Sequence, residues 1–199
     1  MGLASLRKDL ASRLTQAPAR FLAGKVSPNA LTVLGFLISL VAAAVVARGF
    51  LVLGGILVLL AGLLDLLDGA VARRAGKATP FGAVLDSTLD RLSEAALLLG
   101  LLFLLRGSAL VYLIYALLVG SFLVSYIRAR GEGLGLPSEA GLFTRGERIV
   151  VLALGLITGL LTPALALVTV LSWFTVGQRL GEVWRQTRSP RGGLPPGQR

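Results

Sequence analysis

Asp65, Asp68, Asp86 and Asp90 are the residues of this chain best suited to chemistry, and all four fall in one segment, DLLDGAVARRAGKATPFGAVLDSTLD. The first two are three apart and the last two four apart, so each pair lies on one face of a helix. Long apolar runs surround the segment. An isolated acid at membrane depth costs roughly 2.5 to 3.5 kcal/mol, and four without partners cost on the order of 10 kcal/mol, so positive charge must sit among them. Arg73, Arg74 and Lys77 offer one answer, a structural salt-bridge cluster. The other is one or two Mg²⁺ ions, or Mn²⁺, since a dense set of hard oxygen donors suits such cations. Two ions about 3.5 to 4 Å apart clamp a diphosphate in displacement chemistry, which makes phosphoryl-group transfer the sharper expectation. Gly69, Ala72 and Gly82 stand beside the acids with no side chain to keep a flat ligand off the helix backbone, although small residues also serve as packing contacts in membrane helices.

Composition narrows the chemistry further. With no Cys and no His among 199 residues, disulfide frameworks, zinc sites, thiol catalysis and Ser-His-Asp triads are excluded. Apolar side chains make up 55% and charged ones 15%, and the mean hydropathy is +0.81, far above that of a soluble domain. The net charge of +10 does not point to nucleic acid, because the basic residues lie between apolar runs instead of on one polar face. Anionic lipids and phosphorylated small molecules are the expected partners.

The elements that position the acids follow from the apolar runs: 30–47, 50–67, 81–105, 109–127, 149–161 and 164–177. They predict an all-α integral membrane protein with six transmembrane helices. The last two runs are short against the roughly 20 residues that cross a bilayer, so they must extend into flanking polar residues, with a tight turn at Thr162-Pro163 between them. The run from Phe81 is long, which leaves its first turns near or outside one membrane face. Residues 1–28 place Leu3, Leu6, Leu10 and Leu14 at helical spacing with Arg7, Lys8 and Arg13 between them, predicting an N-terminal amphipathic surface helix and no signal peptide. The domain order is a juxtamembrane segment over 1–28, a six-helix membrane domain over 29–188, and a disordered basic tail over 189–199. Eighteen of the 20 Lys and Arg residues fall on one side of this topology, opposite Arg48 and Arg106, and all ten acids share that side. The expectation is a multi-pass protein of the cell membrane with both termini and the active site facing the cytoplasm.

Asp65-x-x-Asp68-Gly69-x-x-Ala72-Arg73, eight further residues, then Gly82-x-x-x-Asp86-x-x-x-Asp90 matches at every specified position the signature of the CDP-alcohol phosphotransferases, which the chain resembles. These are integral membrane enzymes of phospholipid synthesis. The resemblance implies that an acceptor hydroxyl attacks the lipid-bearing phosphate of a CDP-linked lipid, CDP-diacylglycerol, and that CMP leaves. It gives Asp65, Asp68, Asp86 and Asp90 to two metal ions, makes Asp90 the base, and gives Asp68, Gly69, Ala72, Arg73, Thr79 and Gly82 to the cytidine nucleotide. Ser27-Pro28-Asn29-Ala30-Leu31-Thr32 is similar to the family's entry segment, in which Asn29 and Thr32 reach the donor phosphates; these residues are equally a helix start, with Ser27 capping and Pro28 in first position.

Three arginine-bearing helix ends bear on the acceptor: Ser125-Tyr126-Ile127-Arg128-Ala129-Arg130, Thr144-Arg145-Gly146-Glu147-Arg148 and Gln178-Arg179. Guanidinium groups there can bind phosphate bidentately, or can serve orientation and lipid headgroups. The segments resemble the branch of the family that uses inositol 1-phosphate, which implies that Arg128, Arg145, Arg148 and Arg179 hold the acceptor phosphate. The family also tends to form homodimers. Two other readings remain at this stage: glycerol 3-phosphate as acceptor, and a membrane protein that binds or conducts divalent cations without chemistry.

Overall fold

The computed structural model describes residues 15–22, 25–136, 141 and 143–188. Among them every regular element is helical: α1 over 15–22, α2 (Pro28–Ala47), α3 (Leu51–Arg74), α4 (Pro80–Leu104), α5 (Leu110–Gly133), α6 (Arg145–Thr158) and α7 (Leu161–Arg188). α2, α3, α5 and α7 are long and apolar enough to cross a membrane. Their exposed positions include Leu37, Val41, Leu53, Ile56, Leu167 and Val170, a surface that suits lipid. α4 has 25 residues but carries Asp86, Asp90, Arg91 and Glu94, and α6 has only 14 residues. The leucines expected to drive the amphipathic helix, Leu3 to Leu14, and the basic tail over 189–199 lie outside the described residues.

The chain forms two compact units, Met1–Leu104 and Leu105–Arg199. In the first, α2 packs along both α3 and α4, whereas α3 and α4 touch each other sparsely. Small residues make the close packing possible. A Cβ on Gly100 would sit 2.4 Å from the Ala43 carbonyl oxygen, and one on Gly54 would sit 2.3 Å from a Val46 methyl. Because Gly82 faces Asn29 and Gly100 faces Ala43, α2 and α4 run parallel. The turn from α2 to α3 uses Gly49 at φ 87, a left-handed conformation that favours glycine. α1 buries Thr15 and Ala19, and Ala19 joins Leu31 of α2 and Val71 of α3 in a cluster completed by Leu22, Val26 and Leu64.

In the second unit α7 packs against α5 and α6. The Trp173 indole N–H donates to the Ala116 carbonyl at 3.1 Å, bridging α7 to α5 beside Gly120. The expected break at Thr162-Pro163 is displaced: α6 ends at Gly159, in left-handed conformation with φ 78, and Pro163 lies inside the first turn of α7. The first N–H groups of a helix have no intrahelical partner, so the proline costs nothing there.

The approach at Gly100 is testable. Gly100→Val should destabilise the protein by roughly 1–3 kcal/mol through overpacking against the Ala43 backbone, seen as a lower melting temperature in detergent. Gly107→Ala, where an added Cβ meets nothing within 4 Å, should leave it unchanged.

Candidate active site

Asp65 and Asp68 stand in the second half of α3 and Asp86 in the second turn of α4. Each offers one carboxylate oxygen, and the three oxygens lie within 4.8 Å of one another. Asp68 is 4% exposed, and its Oδ2 is buried without a hydrogen-bond partner, while Asp65 and Asp86 are half-buried. Three like charges at this separation repel, and an orphaned buried carboxylate oxygen costs free energy unless something positive meets it. A hard divalent cation fits: the donors are all oxygen, they converge, and one of them lacks a protein partner. Asp90, one turn further along α4, is half-buried and lies outside the convergent set. α3 and α4 each pack on α2 and touch each other sparsely, and the acids meet across the gap between them.

That gap opens into a pocket of about 200 Å³ lined by residues that include Asn29, Thr32, Asp68, Gly69, Ala72, Arg73, Thr79, Gly82 and Asp86. Its shape follows from local rules. α3 ends in a Schellman motif: Gly76 adopts φ 63, its N–H donates to the Arg73 carbonyl at 3.4 Å, and the Lys77 N–H donates to the Ala72 carbonyl at 3.0 Å. Two residues later Thr79 accepts the Gly82 N–H on its hydroxyl at 3.0 Å, closing the N-terminus of α4. Arg73 folds back so that its guanidinium lies 3.2 Å from where a Gly69 Cβ would be. A Cβ on Gly82 would sit 3.0 Å from the Thr79 hydroxyl and 3.2 Å from Asn29 Oδ1, so glycine there keeps the floor open. Thr32 donates to the Pro28 carbonyl at 3.1 Å. Ser27 occupies the N-cap of α2 with Pro28 following it, but its side chain makes no capping bond; its carbonyl accepts the Ala30 and Leu31 amides instead.

The arginines expected at the acceptor belong to the second unit. Arg148, 1% exposed, donates to the Ser121 hydroxyl at 2.9 Å. Arg179, 5% exposed, donates to the Val124 carbonyl, and the Gly141 backbone runs so close that a Cβ there would sit 3.2 Å from its Nε. Arg145 opens α6, three residues before Arg148, and Arg128 is exposed and paired with Glu132 at 2.8 Å. Glu147 accepts the Thr144 N–H at 2.6 Å, half of a capping box that fixes where α6 starts.

Three features lie outside the expected metal, nucleotide and acceptor sets. Thr144-x-x-Glu147 is a capping box legible from spacing alone. Glu94, 2% exposed, stands one turn beyond Asp90, and the same four-residue spacing that paired Asp86 with Asp90 points to it. Lys77 lines the pocket beside Arg73.

Fold and site together define a multi-pass membrane enzyme with an oxygen-only centre suited to a divalent cation. The CDP-alcohol phosphatidyltransferase family model matches residues 25–179, and the chain belongs to this family. It is 40% identical over 158 residues to an archaetidylinositol phosphate synthase of Pyrococcus horikoshii, covering 79% of this chain and 83% of the relative. Against the phosphatidylinositol phosphate synthase of Mycobacterium tuberculosis the identity is 38% over 190 residues, 87% of each chain. Crystal structures of the M. tuberculosis enzyme are similar as well. The one with CDP-DAG bound gives a TM-score of 0.78 at 36% identity, covering 86% of this chain and 94% of that one. The complex with manganese and citrate gives the same TM-score, covering 85% and 88%.

Asp68→Ala should weaken Mn²⁺ binding, measured by electron paramagnetic resonance of the free ion, by at least about tenfold, the cost of losing even an outer-shell partner. Unchanged affinity would remove the acids from the metal site.

Proposed function

We propose that the protein transfers the phosphatidyl group of CDP-diacylglycerol to a hydroxyl of inositol 1-phosphate and releases CMP. The observation that carries this reading is the convergence of Asp65, Asp68 and Asp86 beside the pocket, in a chain whose relatives bear the names of inositol phosphate synthases. The acceptor oxygen forms a bond to the lipid-bearing phosphorus, the bond from that phosphorus to the CMP oxygen breaks, and the hydroxyl proton passes to Asp90. Asp90 suits the role because it stands one helical turn from the convergent acids and no His exists to do the work. Two Mg²⁺ or Mn²⁺ ions, held by Asp65, Asp68 and Asp86 with help from Asp90, would neutralise the diphosphate and the charge on departing CMP.

Around that centre Asn29, Thr32, Asp68, Gly69, Ala72, Arg73, Thr79 and Gly82 receive the nucleotide. Gly69 and Gly82 supply flat backbone and Arg73 supplies a guanidinium. Arg128, Arg145, Arg148 and Arg179 hold the acceptor phosphate. A guanidinium pinned at one nitrogen, as Arg148 is by Ser121 and Arg179 by the Val124 carbonyl, keeps its planar fork set for bidentate binding.

The topology that serves this chemistry has six spans. α4 and α6 join the four helices that are long and apolar enough to cross, and α6, about 21 Å long, crosses with the help of the turns at its ends. Residues 29–188 form the membrane domain. The excess of Lys and Arg puts both termini and the active site on the cytoplasmic side, and the protein works as a homodimer.

Purified protein with CDP-diacylglycerol and Mg²⁺ should release CMP with inositol 1-phosphate. Release only with glycerol 3-phosphate would overturn the acceptor, and metal binding without release would overturn the reaction. Asp90→Asn should lower turnover by about 10²–10⁴-fold, the usual worth of a positioned base, with CDP-lipid binding retained; near-normal turnover would remove Asp90 from that role.

A further inference from the structure

We infer that Lys77 binds the nucleotide-side phosphate of the donor, the one that CDP-lipid and CMP share; this rests on the donor reading above. Lys77 lines the same pocket as Asp68, Arg73, Thr79 and Gly82, and its backbone is pinned there by the Schellman turn at Gly76. A lysine near a helix C-terminus also complements the helix dipole, which alone would explain an exposed one. The pocket asks for more. Asp68 and Asp86 in its wall repel any anion that enters, and a diphosphate diester brings two negative charges. Arg73 lies over Gly69, next to Asp68, so its guanidinium serves the acid end. Lys77 follows it four residues on, past the turn at Gly76, on the loop that leads to Thr79 and Gly82 in the wall of the same pocket. With Arg73 turned back along α3, its compact ammonium is the cation left on that loop for the phosphate attached to the nucleoside. The contact is equally present in bound donor, transition state and bound CMP, so it contributes uniform binding.

The test compares CMP with cytidine, which lacks the phosphate, binding to the detergent-purified full chain with Mn²⁺ by calorimetry. In the wild type CMP should bind more tightly than cytidine. Lys77→Gln should weaken CMP by about tenfold, the scale of one charge-assisted contact, and leave cytidine unchanged. Lys77→Arg should restore most of the CMP affinity. The KM for CDP-diacylglycerol should rise in parallel with the CMP effect, with kcat moving less. An unchanged melting temperature for Lys77→Gln is part of the expected result. A CMP-to-cytidine gap that survives Lys77→Gln overturns the inference, as does an equal loss of both ligands. Wild-type protein that binds neither ligand overturns the donor reading itself, an outcome separate from the other two.

Discussion

Mutual repulsion among the carboxylates that α3 and α4 bring together is the constraint on which the first unit is organised. Nothing in an apolar bundle stabilises Asp68 Oδ2, buried and without a hydrogen-bond partner, against Asp65 and Asp86. A divalent cation held by the three carboxylates would offset that cost, and their oxygens converge as such an ion requires. α3 and α4 touch each other sparsely, and Asp68 and Asp86 from the two helices stand in the wall of one shared pocket. A bundle that closed α3 directly onto α4 would pack more apolar surface but leave no room for substrate.

The second unit solves a related problem with the opposite sign. Arg148 and Arg179 are almost wholly buried, and each is tied to a neighbouring helix, one to a hydroxyl of α5 and the other to a backbone carbonyl of α5. Close passage of Gly141 over the Arg179 guanidinium adds a backbone wall that a side chain would obstruct. Buried guanidiniums held in this manner keep their planar forks in a fixed orientation and have little side-chain entropy left to lose.

Much of this was legible from residue types and spacing. The acid pairs at three and four residues, the small residues beside them and the apolar runs gave the helices and the convergent carboxylates, because each rests on local periodicity. What escaped has a common cause. The turn between α6 and α7 was read from Thr162-Pro163, the strongest local breaker, yet Gly159 ends α6 by its left-handed conformation and Pro163 is harmless in a first turn. Nor does the spacing say that Gly100 and Gly54 bring α4 and α3 each onto α2. Which partner a small residue faces is a tertiary fact that no spacing encodes. Glu147 and Lys77 were readable in principle, one through a capping box and the other through a glycine-led helix end.

The parallel seating of α2 against α4 ties the reaction centre to the opposite end of the bundle. Gly100 contacts Ala43 fourteen residues beyond Asp86, about 21 Å along the helix. A rigid tilt of about 3° pivoting there carries Asp86 through roughly 1 Å, and a displacement of that size is enough to cost about a hundredfold where catalysis depends on placement. The spacing between the acids thus depends on how α4 seats along α2, from the close approach at Gly100 to the one between Gly82 and Asn29.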